Sequence, residues 1–277
     1  METYQALEEK ARQMRMQIVE LCHRSGANKA HLGGCLSMVE ILTVLYHRIM
    51  KLDKNAWSDR SRLILSKGHG ALALYAALYQ AGIISDSEIA AEIRGDDTFL
   101  YRHTKRHPEK GIEYSTGSLG MGLSYANGLA AVFRREGRRG DIYVIIGDGE
   151  CNEGSVWESA AYASHAGFDN ITVIIDKNGL QLDGTTEEVL NMESMAEKWA
   201  AFGFETCEVD GHSFPELERA FLAPSAGKPK AIIANTVKGK GVSFAENQVS
   251  WHDNYLSDEL FEIAMRELGG NLYERGK

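Results

Sequence analysis

The chain has 277 residues, of which 44% are hydrophobic and 25% charged, the composition of an ordinary globular protein. This length suits one α/β domain, so we expect a single domain over residues 1–277. The formal net charge of -9 argues against a non-specific nucleic-acid binder, which needs an excess of Lys and Arg. No CxxC pair, no apolar signal segment at the start and no apolar run of roughly 20 residues is found, so we expect a reduced, cytoplasmic protein.

Helical periodicity opens the chain. Apolar residues recur at three- and four-residue intervals across 3–25, which predicts a helix that Gly26 ends. A glycine-rich loop follows, and we expect the next helix to begin near Ser37, with Glu40 completing a capping box. The apolar run 62–66 predicts a short buried strand, and the turn after it opens another helix.

The rest of the chain alternates apolar strands with helical stretches. Strands are predicted at 142–146, 170–176, 204–209 and 230–237, and helices at 153–166, 191–202, 214–223 and 257–268. Strands that are apolar on both faces and alternate with helices form parallel sheets that are covered on both sides. We therefore predict an α/β fold with a doubly wound, mostly parallel sheet and helices on both faces.

The turn Gly147-Asp148-Gly149 follows one of these strands, at the carboxyl end where doubly wound sheets bind ligands. A dinucleotide-binding fingerprint would look similar, but Asn152 replaces its third glycine. The Asp148 carboxylate would also repel a bare pyrophosphate, by roughly 4 kcal/mol at about 4 Å. A metal ion between the two reverses the sign of that interaction.

Asn178 supplies a second oxygen for such an ion. It follows strand 170–176, which lies beside strand 142–146 if the crossover between them is direct, so the two loop ends meet. Gly179 permits a sharp turn that presents a backbone carbonyl, that of Leu180, as a third ligand. Mg²⁺ prefers such oxygens together with phosphate oxygens. Asp and Asn are also common turn residues, but both follow strands that frame one site, which favours a metal that anchors a diphosphate.

The segment 147–184, GDGECNEGSVWESAAYASHAGFDNITVIIDKNGLQLDG, resembles the thiamine-diphosphate signature of the transketolase family. Further segments occur in the order that this family shows: His31 with Gly33, LSKGHG (65–70), HPE (107–109), STGSLGMG (115–122), KGKG (238–241) and WHD (251–253). The resemblance spans essentially the whole chain, and six ordered motifs are more specific than one. It implies the diphosphate-binding domain of the thiamine-diphosphate-binding fold.

The resemblance also implies roles for single residues. The metal, Mg²⁺ or Ca²⁺, would be held by Asp148, Asn178 and the carbonyl of Leu180. Thiamine diphosphate would be contacted by His69 and Gly149 at the diphosphate, Gly117 and Leu119 at the pyrimidine arm, and Leu182 at the thiazolium. The sugar channel would be lined by neutral imidazoles suited to proton transfer near pH 7, those of His31, His107 and His252. The remaining histidines are expected to be structural: His23, His47, His103, His165 and His212.

The activity that the resemblance implies is the transfer of a two-carbon ketol unit from a ketose to an aldose, both phosphates or related sugars. The cofactor stabilises the carbanion formed when the carbon–carbon bond breaks. The family's second half, which supplies the glutamate that protonates the aminopyrimidine ring, has no counterpart in this sequence. We therefore expect the N-terminal subunit of a split transketolase, active with a separate C-terminal subunit carrying the pyrimidine-binding and C-terminal domains, two copies of each.

Other functions stay open. An enzyme like 1-deoxyxylulose-5-phosphate synthase carries similar segments, although its single chain is much longer. A non-catalytic subunit that only holds the cofactor or stabilises its partner would not need the histidines. Glu153 is explained equally well by the helix dipole and by a carboxylate network at a subunit interface. Neither nucleic acid nor a membrane is expected as a partner.

Overall fold

The computed structural model describes residues 2–26, 30–53, 57–94, 99–138 and 140–270. These residues build a sheet of five parallel strands in the order β1, β2, β3, β5, β4. The strands are β1 (Arg62–Leu65), β2 (Ile142–Gly147), β3 (Ile171–Lys177), β4 (Glu205–Asp210) and β5 (Lys230–Asn235). Their positions agree with the predicted strands to within two residues at each end.

The α-helices in the described part of the chain lie before, between and after the strands. They are α1 (Tyr4–Arg24), α2 (Leu32–Leu36), α3 (Val39–Val44), α4 (Ala71–Gln80), α5 (Asp86–Arg94), α6 (Gly122–Arg135), α7 (Gly154–Ala166), α8 (Thr186–Leu190), α9 (Met195–Ala201), α10 (Phe214–Leu222) and α11 (Asp258–Glu267). None of the described helices is long and apolar enough to span a bilayer.

Two hydrophobic cores cover the two faces of the sheet. On β2, Ile145 belongs to the core shared with α1, α3, α4 and α10, whereas its neighbours Val144 and Ile146 belong to the core shared with α6, α7 and α9. Successive side chains of a strand point to opposite faces, so an uninterrupted apolar strand needs helices on both sides. The structure confirms the predicted fold class.

The predicted capping box at Ser37 and Glu40 is wrong. Ser37 ends α2 instead of starting α3, and its hydroxyl donates to the Asp176 carboxylate at 2.6 Å. The Glu40 carboxylate accepts two hydrogen bonds from the Arg15 guanidinium, at 2.6 and 2.8 Å. Both side chains are buried, so long-range partners take the hydrogen bonds that an exposed helix start would have used.

The register of the sheet collects the loops of interest at one edge. Gly147 at the end of β2 pairs with Asp176 of β3, and Asp176 pairs with Ala234 of β5. Because all strands are parallel, the segments that follow them leave the sheet side by side. The segments after β1, β2, β3 and β5 therefore meet at the carboxyl edge of the sheet.

Candidate active site

A cavity of about 540 Å³ lies at the carboxyl edge of the sheet. Its walls come from the segments after β1, β2, β3 and β5, with further residues from the loops around 119 and 252. Most of the residues predicted for the cofactor and metal line it: His69, Leu119, Asp148, Gly149, Asn178, Leu180, Leu182 and His252. Gly117 lies two residues before Leu119, in a left-handed conformation with φ of +142°.

Asp148 directly follows β2, lies at the cavity wall and is only 5% exposed. Its Oδ1 accepts a hydrogen bond from the Gly149 N–H at 2.8 Å, and its Oδ2 accepts one from the Gly179 N–H at 2.6 Å. Burial raises the pKa of Asp148 from 3.8 to about 6, and the neighbouring Asp176 carboxylate adds to the rise. The surroundings of Asp148 therefore compensate its negative charge incompletely.

Asn178 and Leu180 stand beside Asp148 because the chain turns sharply at Gly179, whose φ is +75°. The Asn178 Oδ1 accepts a hydrogen bond from the Leu180 N–H at 3.2 Å. The Leu180 carbonyl accepts one from the Lys238 ammonium at 3.1 Å. The structure thus brings the three oxygens predicted as metal ligands to one wall of the cavity.

This set of oxygens fits a hard divalent cation. It contains one carboxylate and two neutral carbonyl-type oxygens, and each oxygen has lone pairs beyond those its hydrogen bonds use. Among the described residues no group of three or more His, Cys, Asp or Glu side chains could hold a metal. The Asp148 set is of a different kind, since it needs phosphate or water oxygens to complete an octahedron.

A fully buried ion pair between Lys67 and Asp176 ties the loops together. The Lys67 ammonium contacts the Asp176 carboxylate and donates to the Gly34 carbonyl at 3.0 Å. The same carboxylate accepts hydrogen bonds from the hydroxyls of Ser37 and Thr236. Burial alone would raise the pKa of Asp176, but Lys67 and the two hydroxyls hold it below its usual range. The network joins β3 to the segments that carry His31, His69 and Lys238.

Glu150 fixes the loop that carries Gly117 and Leu119. Its buried carboxylate accepts hydrogen bonds from the Gly120 N–H at 2.8 Å, the Gly147 N–H at 3.1 Å and the Ser66 hydroxyl. Three donors from three segments converge on one side chain. The loop at 117–120 is thereby held against the end of β2.

Four histidines form a cluster, and two of them, His69 and His252, line the cavity. The ring centroid of His31 lies 5.7 Å from that of His69, 5.4 Å from His103 and 5.5 Å from His252, and His69 and His252 are 5.1 Å apart. Burial lowers the pKa of all four histidines, to about 4 for His31 and about 3 for His252. At His252 the positive charge of Lys238 adds to the decrease. These imidazoles are therefore neutral at pH 7.

His107, predicted to join this cluster, lies elsewhere. Its ring packs on Phe99, with centroids 4.9 Å apart, and its Nδ1 is 3.2 Å from a Glu109 carboxylate oxygen. The turn that follows is held by the Arg60 guanidinium, which donates to the Pro108 carbonyl at 2.9 Å. Arg60 precedes β1, so this contact draws the turn toward the amino edge of the sheet. The structure brings His103, which the sequence had assigned a structural role, to the cluster instead.

Lys238 is a buried cation inside the site. Its side chain is nearly inaccessible, and its ammonium donates to the His252 Nδ1 at 2.9 Å as well as to the Leu180 carbonyl. Burial lowers the pKa of Lys238 to about 8, and the positive charge of Lys67 adds to this decrease. The cavity therefore presents an ammonium group beside the predicted metal ligands.

Sequence reasoning assigned no functional role to several of these residues: Lys67, His103, Glu150, Asp176 and Lys238. Lys67 and Lys238 lie inside the LSKGHG and KGKG segments, so a motif signalled them. Asp176 was also recognisable, because it is a carboxylate at the end of an otherwise apolar buried strand and a buried charge needs a partner. Nothing local distinguishes His103 from His107, since the path of the loop decides which ring joins the histidine cluster.

The fold and the site define a class of protein. A parallel sheet carries at its carboxyl edge a buried carboxylate, two neutral oxygens and an ammonium around a cavity, and neutral imidazoles stand beside them. This arrangement suits an anionic, phosphate-bearing cofactor that is held through a cation.

Comparison with known proteins gives the family. Residues 6–275 match the family model described as "Transketolase, thiamine diphosphate binding domain". The chain belongs to this transketolase family, as the sequence motifs predicted. It is thus a thiamine-diphosphate-binding domain with an α/β fold.

Two relatives have nearly the same length as this chain. It is 40% identical to the 6-deoxy-6-sulfo-D-fructose transketolase subunit of a Clostridium species, over 86% of this chain and 88% of the relative. It is also 40% identical to an apulose-4-phosphate transketolase subunit of Actinobacillus succinogenes, over 96% of this chain and 97% of the relative.

Solved transketolases share the fold but are longer. The transketolase of Campylobacter jejuni superposes with a TM-score of 0.87 at 27% identity, covering 98% of this chain and 44% of that one. The transketolase of Leishmania mexicana gives a TM-score of 0.85 at 29% identity, covering 96% of this chain and 41% of that one. This chain therefore spans less than half the length of these solved enzymes.

Proposed function

We propose that this chain is the N-terminal, cofactor-anchoring subunit of a two-subunit transketolase. The observation that carries the proposal is the incompletely compensated Asp148 carboxylate, buried at the wall of a cavity that neutral histidines border. A cation with a diphosphate satisfies that carboxylate, and the histidines suit chemistry on a sugar.

The metal would be held by the Asp148 carboxylate, the Asn178 amide oxygen and the Leu180 carbonyl, with diphosphate oxygens completing its coordination. Mg²⁺ and Ca²⁺ both accept these ligands. Lys238 lies next to Leu180 and adds a positive charge on the side where a diphosphate would lie. A Cβ at Gly149 would stand 2.8 Å from the Gln181 side chain, so the glycine leaves room for Gln181 at the cavity wall.

When bound, thiamine diphosphate supplies the carbanion stabilisation that allows a bond next to a ketose carbonyl to break. The chain's own contribution is the environment of the sugar oxygens. His31, His103 and His252 present neutral imidazoles that can donate or accept hydrogen bonds and transfer protons. His69, whose ring lies beside that of His252, would contact the diphosphate. The role predicted for His107 in the sugar channel stays a prediction.

The pairing with a second subunit is supported by chain length and by the rim of the cavity. The two relatives of matching length described above carry the word subunit in their names, whereas the solved enzymes are more than twice as long. Apolar side chains at the rim are half exposed: Leu182 at 60%, Val189 at 43% and Leu190 at 52%. A C-terminal subunit that covers this rim would complete the cofactor site, with two copies of each subunit in the assembly.

The names of these relatives also indicate a class of substrate. The two relatives are named for a sulfonated ketose and for a sugar phosphate. We infer a donor of the same chemical class, a ketose with a terminal phosphate or sulfonate. The subunit without the anchoring site would then recognise that anionic end.

The test is reconstitution. The chain is purified with its C-terminal subunit, and two-carbon transfer between a ketose phosphate and an aldose phosphate is assayed with thiamine diphosphate and Mg²⁺. Activity is expected only with both subunits, and robust turnover by this chain alone would refute the proposal. Release of carbon dioxide from pyruvate would indicate the synthase alternative. Unchanged turnover in His252→Ala would indicate the non-catalytic alternative.

A further inference from the structure

A second buried cluster stands behind the cavity, on the far side of the segment 236–241 that carries Lys238. It consists of Arg15 from α1, Glu40 from α3 and His212 from the turn after β4. Their side chains are 8%, 9% and 14% exposed. None of the three faces the cavity, and none was given a functional role by the motifs.

His212 links Glu40 to the backbone of this segment. Its Nε2 accepts a hydrogen bond from the Val237 N–H at 2.8 Å, so that nitrogen carries no proton. Its Nδ1 lies 2.9 Å from the Glu40 Oε2 and must be the nitrogen that donates. One tautomer is therefore fixed by two partners on opposite sides of the ring.

Arg15 holds the same segment at a second point. Its guanidinium donates two hydrogen bonds to the Glu40 carboxylate and, through Nε, a third to the Lys240 carbonyl at 2.9 Å. The cluster thus contacts Val237 and Lys240, which lie on either side of Lys238. Charge-assisted hydrogen bonds of this kind are strong when they are buried and fully satisfied.

The backbone between these two contacts has little freedom. Gly239 has φ of +79°, and a Cβ there would stand 2.2 Å from the Ala245 carbonyl oxygen. The Gly239 N–H also donates to the Gly33 carbonyl at 3.0 Å. The cluster holds Val237 and Lys240 from behind, and so restrains the backbone from which the Lys238 side chain reaches Leu180 and His252.

We propose that His212 is a positioning residue for the cofactor site, which acts by holding Val237 so that Lys238 faces the diphosphate. This inference rests on the proposed function, because it needs thiamine diphosphate to bind beside Lys238. It goes beyond that function by placing one determinant of cofactor affinity outside the cavity, at a histidine that cannot touch the cofactor.

The test compares two substitutions, each of which keeps one of the two contacts of His212 and loses the other. In His212→Gln, the longer side chain can bring an oxygen to the Val237 N–H. In His212→Asn, the shorter one can reach only Glu40. Thiamine diphosphate is titrated by calorimetry into the reconstituted complex with Mg²⁺, and thermal unfolding is recorded for each variant. His23→Ala serves as the control, because it breaks another histidine–carboxylate contact, to Asp258 at 2.8 Å, away from the segment.

We expect His212→Asn and His212→Ala to weaken cofactor binding about tenfold, the loss that follows when a buried N–H is left without a partner. His212→Gln should remain within about threefold of the unmodified complex, and the control should match it. In the double variant of His212→Ala with Lys238→Ala, affinity should be no lower than with Lys238→Ala alone, because His212 acts through Lys238.

Two results would overturn the inference alone: equal affinity of the Asn and Gln variants, or losses that add in the double variant, which would indicate general support of the fold. A complex that binds no thiamine diphosphate before any substitution would instead overturn the proposed function, and this inference with it. The titration of the unmodified complex therefore separates the two failures.

Discussion

Both edges of the sheet bury charged side chains, but they surround them differently. At the amino edge, the Glu113 carboxylate contacts the guanidinium groups of Arg60 and Arg62, and the neighbouring side chains leave no room for a ligand. At the carboxyl edge, Asp148 has only backbone N–H donors and faces a cavity of about 540 Å³. Burial of charge alone therefore does not mark a site. A buried carboxylate that has no salt-bridge partner among the described residues and lies beside open space does.

The largest effects should come from breaking an ion pair at either edge. Lys67→Met leaves Asp176 buried without its cation and should lower the free energy of unfolding by about 3–5 kcal/mol. Arg60→Met should destabilise the amino edge in the same sense, since Glu113 loses one partner. Chemical denaturation measures both losses.

The two variants should differ in cofactor binding. Lys67→Met loosens the segments that carry His69 and Asn178, so thiamine diphosphate should bind more weakly, whereas Arg60→Met should bind it normally when folded. Titration at a temperature where both variants are folded makes this comparison. Equal losses of affinity would show that the two edges are not functionally distinct.

The pH dependence of stability should reveal the uncompensated carboxylate. The pKa of Asp148 is raised to about 6 in the folded chain, so the folded state holds this proton more tightly than the unfolded state does. The resulting stabilisation is fully present below about pH 4 and is lost as the pH rises through about 6, a decrease on the order of 2 kcal/mol. The buried histidines with lowered pKa make stability rise over the same range. The Asp148 contribution is therefore measured as the difference in denaturation between the metal-free unmodified chain and its Asp148→Asn variant, from pH 4 to 7.

Two variants test whether that decrease in stability comes from Asp148. It should be absent in Asp148→Asn and retained in Asp169→Asn, an exposed carboxylate at the opposite edge. Mg²⁺ with thiamine diphosphate should also suppress it, because a cation stabilises the charged form. A pH profile of stability that is the same in Asp148→Asn and in the unmodified chain would show that Asp148 is not the titrating carboxyl group.

The smallest expected effect is a difference between two histidines of the same loop, His103 and His107. His103→Ala should raise the KM of the donor sugar about tenfold, the loss of one hydrogen bond to a substrate oxygen. His107→Ala should leave it nearly unchanged, because its ring packs on Phe99 outside the cluster. Steady-state kinetics of the reconstituted complex decides. The reverse result would restore the role that the HPE motif predicts for His107.

The sequence predicted the fold well because its signals are local. Apolar strands that alternate with amphipathic helices define the sheet, and the residues after β2 and β3 carry the metal-binding pattern in a short span. Asp148, Asn178 and Leu180 could thus be placed together from their positions in the chain, since adjacent parallel strands end side by side.

Other features depend on contacts between distant segments, which local patterns do not encode. Ser37 and Glu40 fit a capping box, yet Asp176 and Arg15 use their side chains instead. His212 looked like an isolated histidine because its partner, Glu40, is 172 residues away. Such pairings become visible only when the sheet has brought the segments together.

The most direct test of the central claim is a calorimetric titration of thiamine diphosphate into the reconstituted complex, with Mg²⁺ or with EDTA, for the unmodified chain, Asp148→Ala and Asp169→Ala. We predict binding that requires Mg²⁺, is weakened at least about 100-fold by Asp148→Ala and is unaffected by Asp169→Ala. Binding of equal strength in EDTA, or in Asp148→Ala, would contradict the claim that this carboxylate anchors the diphosphate through a metal.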